Sequence, residues 1–200
     1  MDKEKEIREV TGLLYSEQTQ IIANILEEYK SHSKTPNVND YQNLRAKNFL
    51  SGSHKRHDSD YYLIDNETQI HYLIELKIGG DLDNKKARSE KEALLEQFAI
   101  LSNTLPSETK IKIFFATAYN RYGEDKIWNQ GRVKQFFAEE ELLIGKNFWN
   151  FICKSDDGYN IVLDGIKSNF YNPNECETNF QKKVLLCFHK RFAPKEVLVL

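Results

Sequence analysis

The sequence predicts an α/β (α+β) fold in which a mixed central β-sheet is flanked by helices. Three stretches carry this expectation. Residues 70–78 alternate apolar and polar with period two, residues 84–102 repeat apolar positions at helical spacing, and residues 111–116 form a short apolar run. A strand, a long helix and a second strand in that order are the layers of helices packed on a sheet.

Residues 4–30 read as helix, with Val10, Leu13, Leu14, Ile21, Ile22, Ile25 and Leu26 at helical spacing and Gly12 as a dividing point. Residues 31–40, SHSKTPNVND, have loop composition, and a short helix is expected over residues 41–50. SGSHKRH follows as a Ser/Gly turn leading into a basic cluster. Residues 61–64 are strand formers, residues 65–68 are turn formers, and residues 70–78 complete a β-hairpin. Gly79-Gly80 ends the strand, and Asp81 or Asp83 caps the helix over residues 84–102. Ala87, Leu94, Leu95, Phe98 and Leu101 form its inner side. Pro106 closes a loop before the third strand, residues 111–116, which is apolar enough to be central. Residues 119–132 form a polar, aromatic-bearing loop, and residues 139–152 read as helix. A turn at residues 154–158 precedes a segment over 161–166 that suits either helix or strand, and residues 180–192 suggest a basic helix.

The 200 residues fit one domain, spanning 1–200. With 40% hydrophobic and 12% aromatic residues the chain can bury a core, which argues against wholesale disorder. A net charge of −2 does not announce a nucleic-acid binder, although a local basic surface steers independently of the total. Cys153, Cys176 and Cys187 are odd in number and contain no C-x-x-C pair, so neither a disulfide framework nor a zinc ribbon is expected. The charged N-terminus has no signal-like apolar stretch, and no apolar run approaches the ~20 residues that cross a bilayer. The expectation is a soluble, cytoplasmic protein with no membrane partner.

The chemistry centres on Glu75-Leu76-Lys77. Residues two apart on a strand share a face, so Glu75 and Lys77 project together, alongside His71 and Leu73, while Tyr72, Ile74, Leu76 and Ile78 occupy the other face. A carboxylate and an ammonium on a face that packing would fill with apolar groups are costly unless they serve some chemistry. If the turn centres near Glu67 and Thr68, Asp60 lies opposite Glu75, and opposed Cβ atoms are only ~5 Å apart. Two carboxylates at that range suit a hard divalent cation such as Mg²⁺, with the Leu76 carbonyl as a further oxygen ligand. Lys77 is placed to orient or help deprotonate a water and to offset charge on phosphorus, so the trio suits phosphodiester hydrolysis.

The stretch DSDYYLIDNETQIHYLIELKIGGDLDNKKARSEKEALLEQ resembles the core of the PD-(D/E)XK nuclease superfamily, and more narrowly type II restriction endonucleases. EEELLIGKNFWNFI is similar to a recurring C-terminal feature of such enzymes. The resemblance covers residues 55–120 well and 128–165 loosely. It maps the first Asp onto Asp60, the acidic residue onto Glu75 and the lysine onto Lys77. Ser59 stands where the superfamily commonly has Pro, so Asp58, two residues away on the same face, and Asp65 remain alternatives for the first carboxylate. The resemblance implies Mg²⁺-dependent, site-specific cleavage of double-stranded DNA by a homodimer, with a cognate DNA methyltransferase in the same system. Repair, nicking or junction-resolving activity on the same core is the alternative, and an inactive DNA-binding module is a third.

Supporting residues follow from this reading. Glu17 and Glu27 on the first helix, and Gln97 on the helix after the motif, are candidates for a second layer around the site. Lys55 and Arg56 beside His54 and His57, and Lys85, Lys86, Arg88 and Lys91 at the start of the helix, are candidates for phosphate contacts. Asn120, Arg121, Gln130 and Arg132 in the loop after the third strand are of the types that read base edges. Residues 120–200 are a less regular part assigned to DNA recognition or dimerisation. Asp81-Leu82-Asp83-Asn84 lacks the Gly and distal Glu of an EF-hand and is read as turn and cap.

Overall fold

Period-two alternation over Tyr72 to Lys77 has a direct consequence in the computed structural model, which describes residues 9–45 and 49–171. Strand β4 (His71–Lys77) is central, with strand β3 (Tyr61–Ile64) antiparallel on one side and strand β5 (Ile111–Thr117) parallel on the other. A short strand β6 (Leu142–Ile144) runs parallel to β5 at the edge, giving a mixed four-stranded sheet in the order β3-β4-β5-β6.

The two faces of β4 enter two cores. Leu73 joins Ile111, Ile113 and Phe115 beneath helices α1 (Ser16–Lys30) and α2 (Asn84–Thr104). Tyr72, Ile74 and Leu76 join Phe114, Ala116, Phe148 and Ile152 beneath helix α4 (Lys146–Cys153). Helix α2 is the crossover from β4 to parallel β5, and such connections need a dozen or more residues. Its start is fixed by Asp83, whose Oδ1 accepts from the Lys86 N–H at 2.8 Å. Its inner side is the expected one: Ala87, Leu94, Leu95 and Phe98 are wholly buried.

Three regions depart from expectation. Residues 9–15 are a strand, β1 (Glu9–Tyr15), and helix begins only at Ser16. Val10 and Leu14 are buried on one face, a spacing of four that fits either period in so short an apolar run. Gly12 between them allows β1 to cross α2, since a Cβ there would come within 2.9 Å of Ile100 Cγ2. The basic stretch is likewise a strand, β2 (Gly52–Asp58), antiparallel to β1 from Glu9↔Asp58 to Tyr15↔Gly52. The short helix expected over 41–50 is only a 3₁₀ turn at Gln42–Arg45.

Residues 139–152 divide. A 3₁₀ turn at Glu139–Glu141 is followed by β6, and helix resumes at Lys146. The apolar run Leu142-Leu143-Ile144 pairs with Phe115, Ala116 and Thr117, so tertiary pairing decides its conformation. A single helical turn, α3 (Gly131–Lys134), precedes this region, and the segment over 161–166 falls within helix α5 (Gly158–Tyr171). The expected basic helix over 180–192 and the thiols Cys176 and Cys187 lie outside the described residues. No helix of the described residues is long and apolar enough to cross a membrane.

Candidate active site

The hairpin register brings the acidic groups together. Tyr61 pairs with Ile74, which carries Asp60, just ahead of β3, to the position facing Glu75. Asp60 Oδ2 accepts from the Leu76 backbone N–H at 3.0 Å, so the aspartate is pinned to the strand bearing the other two residues. Glu75 and Lys77 hydrogen-bond through Oε1 and Nζ. The Lys77 ammonium also lies 3.9 Å from Asp60 Oδ2 and 3.2 Å from Oε1 of Glu90, which reaches in from α2.

Charge in this cluster is unbalanced: Asp60, Glu75 and Glu90 surround one ammonium. Glu75 is largely buried, and burial pushes its carboxyl up to about 8 against the hydrogen bond from Lys77, with the charges of Glu90 and Asp60 adding to the rise. Burial lowers Lys77, but the hydrogen bond and charge of Glu75 and the charge of Glu90 outweigh it, so its ammonium is held above the ordinary lysine range. Both shifts favour added positive charge. A divalent cation supplies that, and carboxylate oxygens are the donors Mg²⁺ takes. Among the described residues no group of three or more His, Cys, Asp or Glu is placed to hold a metal ion. An open site of one or two carboxylates is the arrangement Mg²⁺ commonly uses.

The other two aspartates are engaged elsewhere. Asp65 is buried and its Oδ1 accepts from the Glu67 and Thr68 N–H groups, so the turn claims it. Asp58, at the end of β2, has an 80% exposed side chain facing Arg56. Glu17 accepts from the Leu50 N–H, and Glu27 pairs with Lys30, so the contacts of both lie away from the trio. Gln97 is buried two helical turns beyond Glu90, about 10 Å along the axis, and its Oε1 has no hydrogen-bond partner among the described residues.

The basic residues divide into exposed and committed ones. Lys85 and Lys86 are exposed at the start of α2, and Arg88 pairs with Glu92 at 3.4 Å. Lys91 belongs to the interior instead: it is fully buried, with Nζ 2.6 Å from both Glu141 carboxylate oxygens. Lys55 is held by Glu96 at 3.0 Å, and Arg56 by Glu9 at 3.1 Å.

The loop after β5 lies at the strand end that carries Lys77. Gly80 (φ +64) lets the chain turn there, since a Cβ would come within 2.6 Å of Thr117 Cγ2 and 3.1 Å of Trp128 Cζ2. A polar cleft of about 640 Å³ opens among Asp81, Asn84, Arg121, Asn129, Gln130 and Arg132. Open parallel sheets take their ligands at the carboxyl ends of the strands. Asn120 is spent on the loop: its Nδ2 donates to the Lys126 carbonyl and its Oδ1 accepts from the Tyr122 N–H. Gln130 donates to the Tyr122 hydroxyl, and Arg121 pairs with Asp81 at 2.6 Å. Sequence reasoning missed Glu90. Its only sequence signal is its position on α2, four residues before Leu94 on the inward-facing side.

No curated protein and no solved structure matches the chain. A family model does: residues 1–169 match the type II restriction endonuclease HinfI. That span contains every element described above except the last residues of α5. The chain therefore belongs to the HinfI family of type II restriction endonucleases, site-specific deoxyribonucleases that act on double-stranded DNA.

Proposed function

We propose that the chain cuts duplex DNA with Mg²⁺ held by Asp60, Glu75 and the Leu76 backbone carbonyl, and with Lys77 as the residue that orients and activates water. The observation that carries this reading is the meeting of Asp60, Glu75 and Lys77 at one end of β4, where carboxylates outnumber the ammonium. Bound Mg²⁺ supplies Lewis-acid polarisation of the phosphate and acidification of water. Lys77 donates hydrogen bonds to the attacking water and to the phosphoryl oxygens, offsetting charge as it develops. Asp60, pinned by the Leu76 N–H, holds its geometry without reorganisation at the moment of reaction.

Lys85, Lys86 and Arg132 are exposed and suit phosphate contact, with Lys55, Arg56 and Arg88 available once phosphate competes for their carboxylate partners. Arg121, Gln130 and Arg132 in the cleft suit base edges, whereas Asn120 acts by shaping the loop that presents them. A homodimer matches a two-fold-symmetric site in duplex DNA, and a cognate methyltransferase protects that site in the cytoplasm where the enzyme works.

Incubation with phage DNA and Mg²⁺ tests the reading. Discrete fragments are expected, and Glu75→Ala and Lys77→Ala each abolish cutting while largely sparing DNA binding. Normal cutting by both variants would refute the site assignment, and a smear or nicking alone would refute site-specific double-strand cleavage.

A further inference from the structure

We propose that Glu90 is the positioning residue for Lys77, keeping its ammonium at the reacting edge when Glu75 turns to the metal. The inference rests on the catalytic reading above and deepens it. In the structure Lys77 Nζ is shared by Glu75, Glu90 at 3.2 Å and Asp60 at 3.9 Å. The reading assigns two of these carboxylates, Asp60 and Glu75, to a divalent cation. A dication on those oxygens repels the ammonium and competes for the Glu75 Oε1 atom that now holds it. Lysine is a point charge on a flexible four-carbon stem, so an ammonium released by Glu75 has no fixed place unless another carboxylate retains it.

Glu90 can do this because it comes from a different element. Asp60 and Glu75 belong to the hairpin, whereas Glu90 is carried by α2, one turn after Ala87 and one before Leu94, both wholly buried. That stretch of helix is locked on the sheet, and the Glu90 side chain emerges from it 25% exposed. The carboxylate stays in place whether or not a metal occupies the hairpin. The ion pair Glu90 makes is with the ammonium, and its charge also acts on Glu75. The carboxylates thus divide between two roles, the hairpin pair facing the cation and the helix carboxylate facing Lys77.

The test is the near-isosteric Glu90→Gln in the full-length enzyme, with cleavage followed at varied DNA and varied Mg²⁺. Expected is a fall in kcat on the order of 10- to 100-fold, the usual cost of losing a group that orients a functional one. The thermal midpoint stays unchanged, and the KM for DNA is unchanged or slightly lower through loss of a repelling charge. The half-saturating Mg²⁺ concentration shifts far less than in Asp60→Ala, and Glu90→Asp recovers part of the rate. A wild-type kcat overturns the proposal. So does a half-saturating Mg²⁺ raised as far as in Asp60→Ala, which makes Glu90 a metal ligand, or a rate loss that tracks a lowered thermal midpoint. Lys77→Ala in the same assay separates the two levels. If it cuts normally, the catalytic reading fails. If it is dead while Glu90→Gln cuts at the wild-type rate, only the role of Glu90 fails.

Discussion

At the residue scale, the question of which aspartate serves the site turns on two residues of spacing. Asp58 and Asp60 differ in what they touch: Asp58 faces Arg56 from an exposed position, whereas Asp60 accepts the Leu76 N–H and lies within 3.9 Å of Lys77 Nζ. Asp60→Ala should therefore abolish cleavage, while Asp58→Ala should cut at close to the wild-type rate. A gel assay with both variants decides, and the reverse pattern assigns the site to Asp58. The Lys91–Glu141 pair makes a different kind of prediction. Both side chains are almost wholly buried, and Glu141 also accepts from the Tyr41 hydroxyl and the Ala138 N–H. Replacing Lys91 with Met strands a buried carboxylate, and breaking such a pair costs about 3–5 kcal/mol. Denaturant unfolding of Lys91→Met that shows a loss under about 1 kcal/mol would contradict this account.

At the element scale, what could be read in advance followed the strength of the burial pattern. The hairpin β3–β4, the helix α2 and the strand β5 each bury a full face or stripe, so their periodicity stands in the sequence, and with it Glu75 and Lys77. Strand β2 was invisible because nearly all of GSHKRHD is exposed. Its pairing rests on backbone hydrogen bonds and on charges such as Arg56–Glu9, which leave no apolar rhythm. Strand β1 was hidden because Val10 and Leu14 satisfy both periods, and β6 because three apolar residues beside a helix extend that helix by pattern alone. Glu90 was hidden for a further reason: one glutamate on a charged helix gains meaning only when the fold sets it against Lys77. The β2–α2 contact also carries a pH signature. His57, then Lys55, holds the Glu96 carboxyl below the usual carboxylate range. A carboxyl depressed in the folded state stabilises fully above its unfolded value, about 4.3, and that stabilisation fades as pH falls through the lower folded value. The wild type should therefore exceed Glu96→Gln in thermal midpoint at pH 7, and the gap should shrink toward pH 3. A gap independent of pH would show that Glu96 acts through packing.

At the scale of the whole molecule, the protein must bring a polyanion to an acidic edge. The chain carries a net charge of −2, and several of its cations are already committed: Lys55 to Glu96, Arg56 to Glu9, Arg88 to Glu92 and Arg121 to Asp81. At the end of β4, Asp60, Glu75 and Glu90 surround a single ammonium, and the proposed site puts the scissile phosphate beside them. Phosphate and carboxylates repel at that range, so the apo enzyme should hold DNA weakly. Neutralising the edge should tighten binding, because the repulsion from Asp60 and Glu90 is local. Ca²⁺ has the oxygen preference of Mg²⁺ and makes a fitting probe when cleavage is to be avoided. The dissociation constant of a duplex bearing the recognition site should fall by about ten-fold or more on adding Ca²⁺, a change of roughly 1.4 kcal/mol. In Asp60→Ala the fall should be much smaller, since one of the two proposed carboxylate ligands is gone, while affinity without Ca²⁺ should rise slightly through loss of a repelling charge. The two changes have opposite sign and come from one substitution, so general weakening of the fold cannot imitate them. Equal affinity with and without Ca²⁺ in the wild type would mean that the carboxylate edge does not face the phosphate.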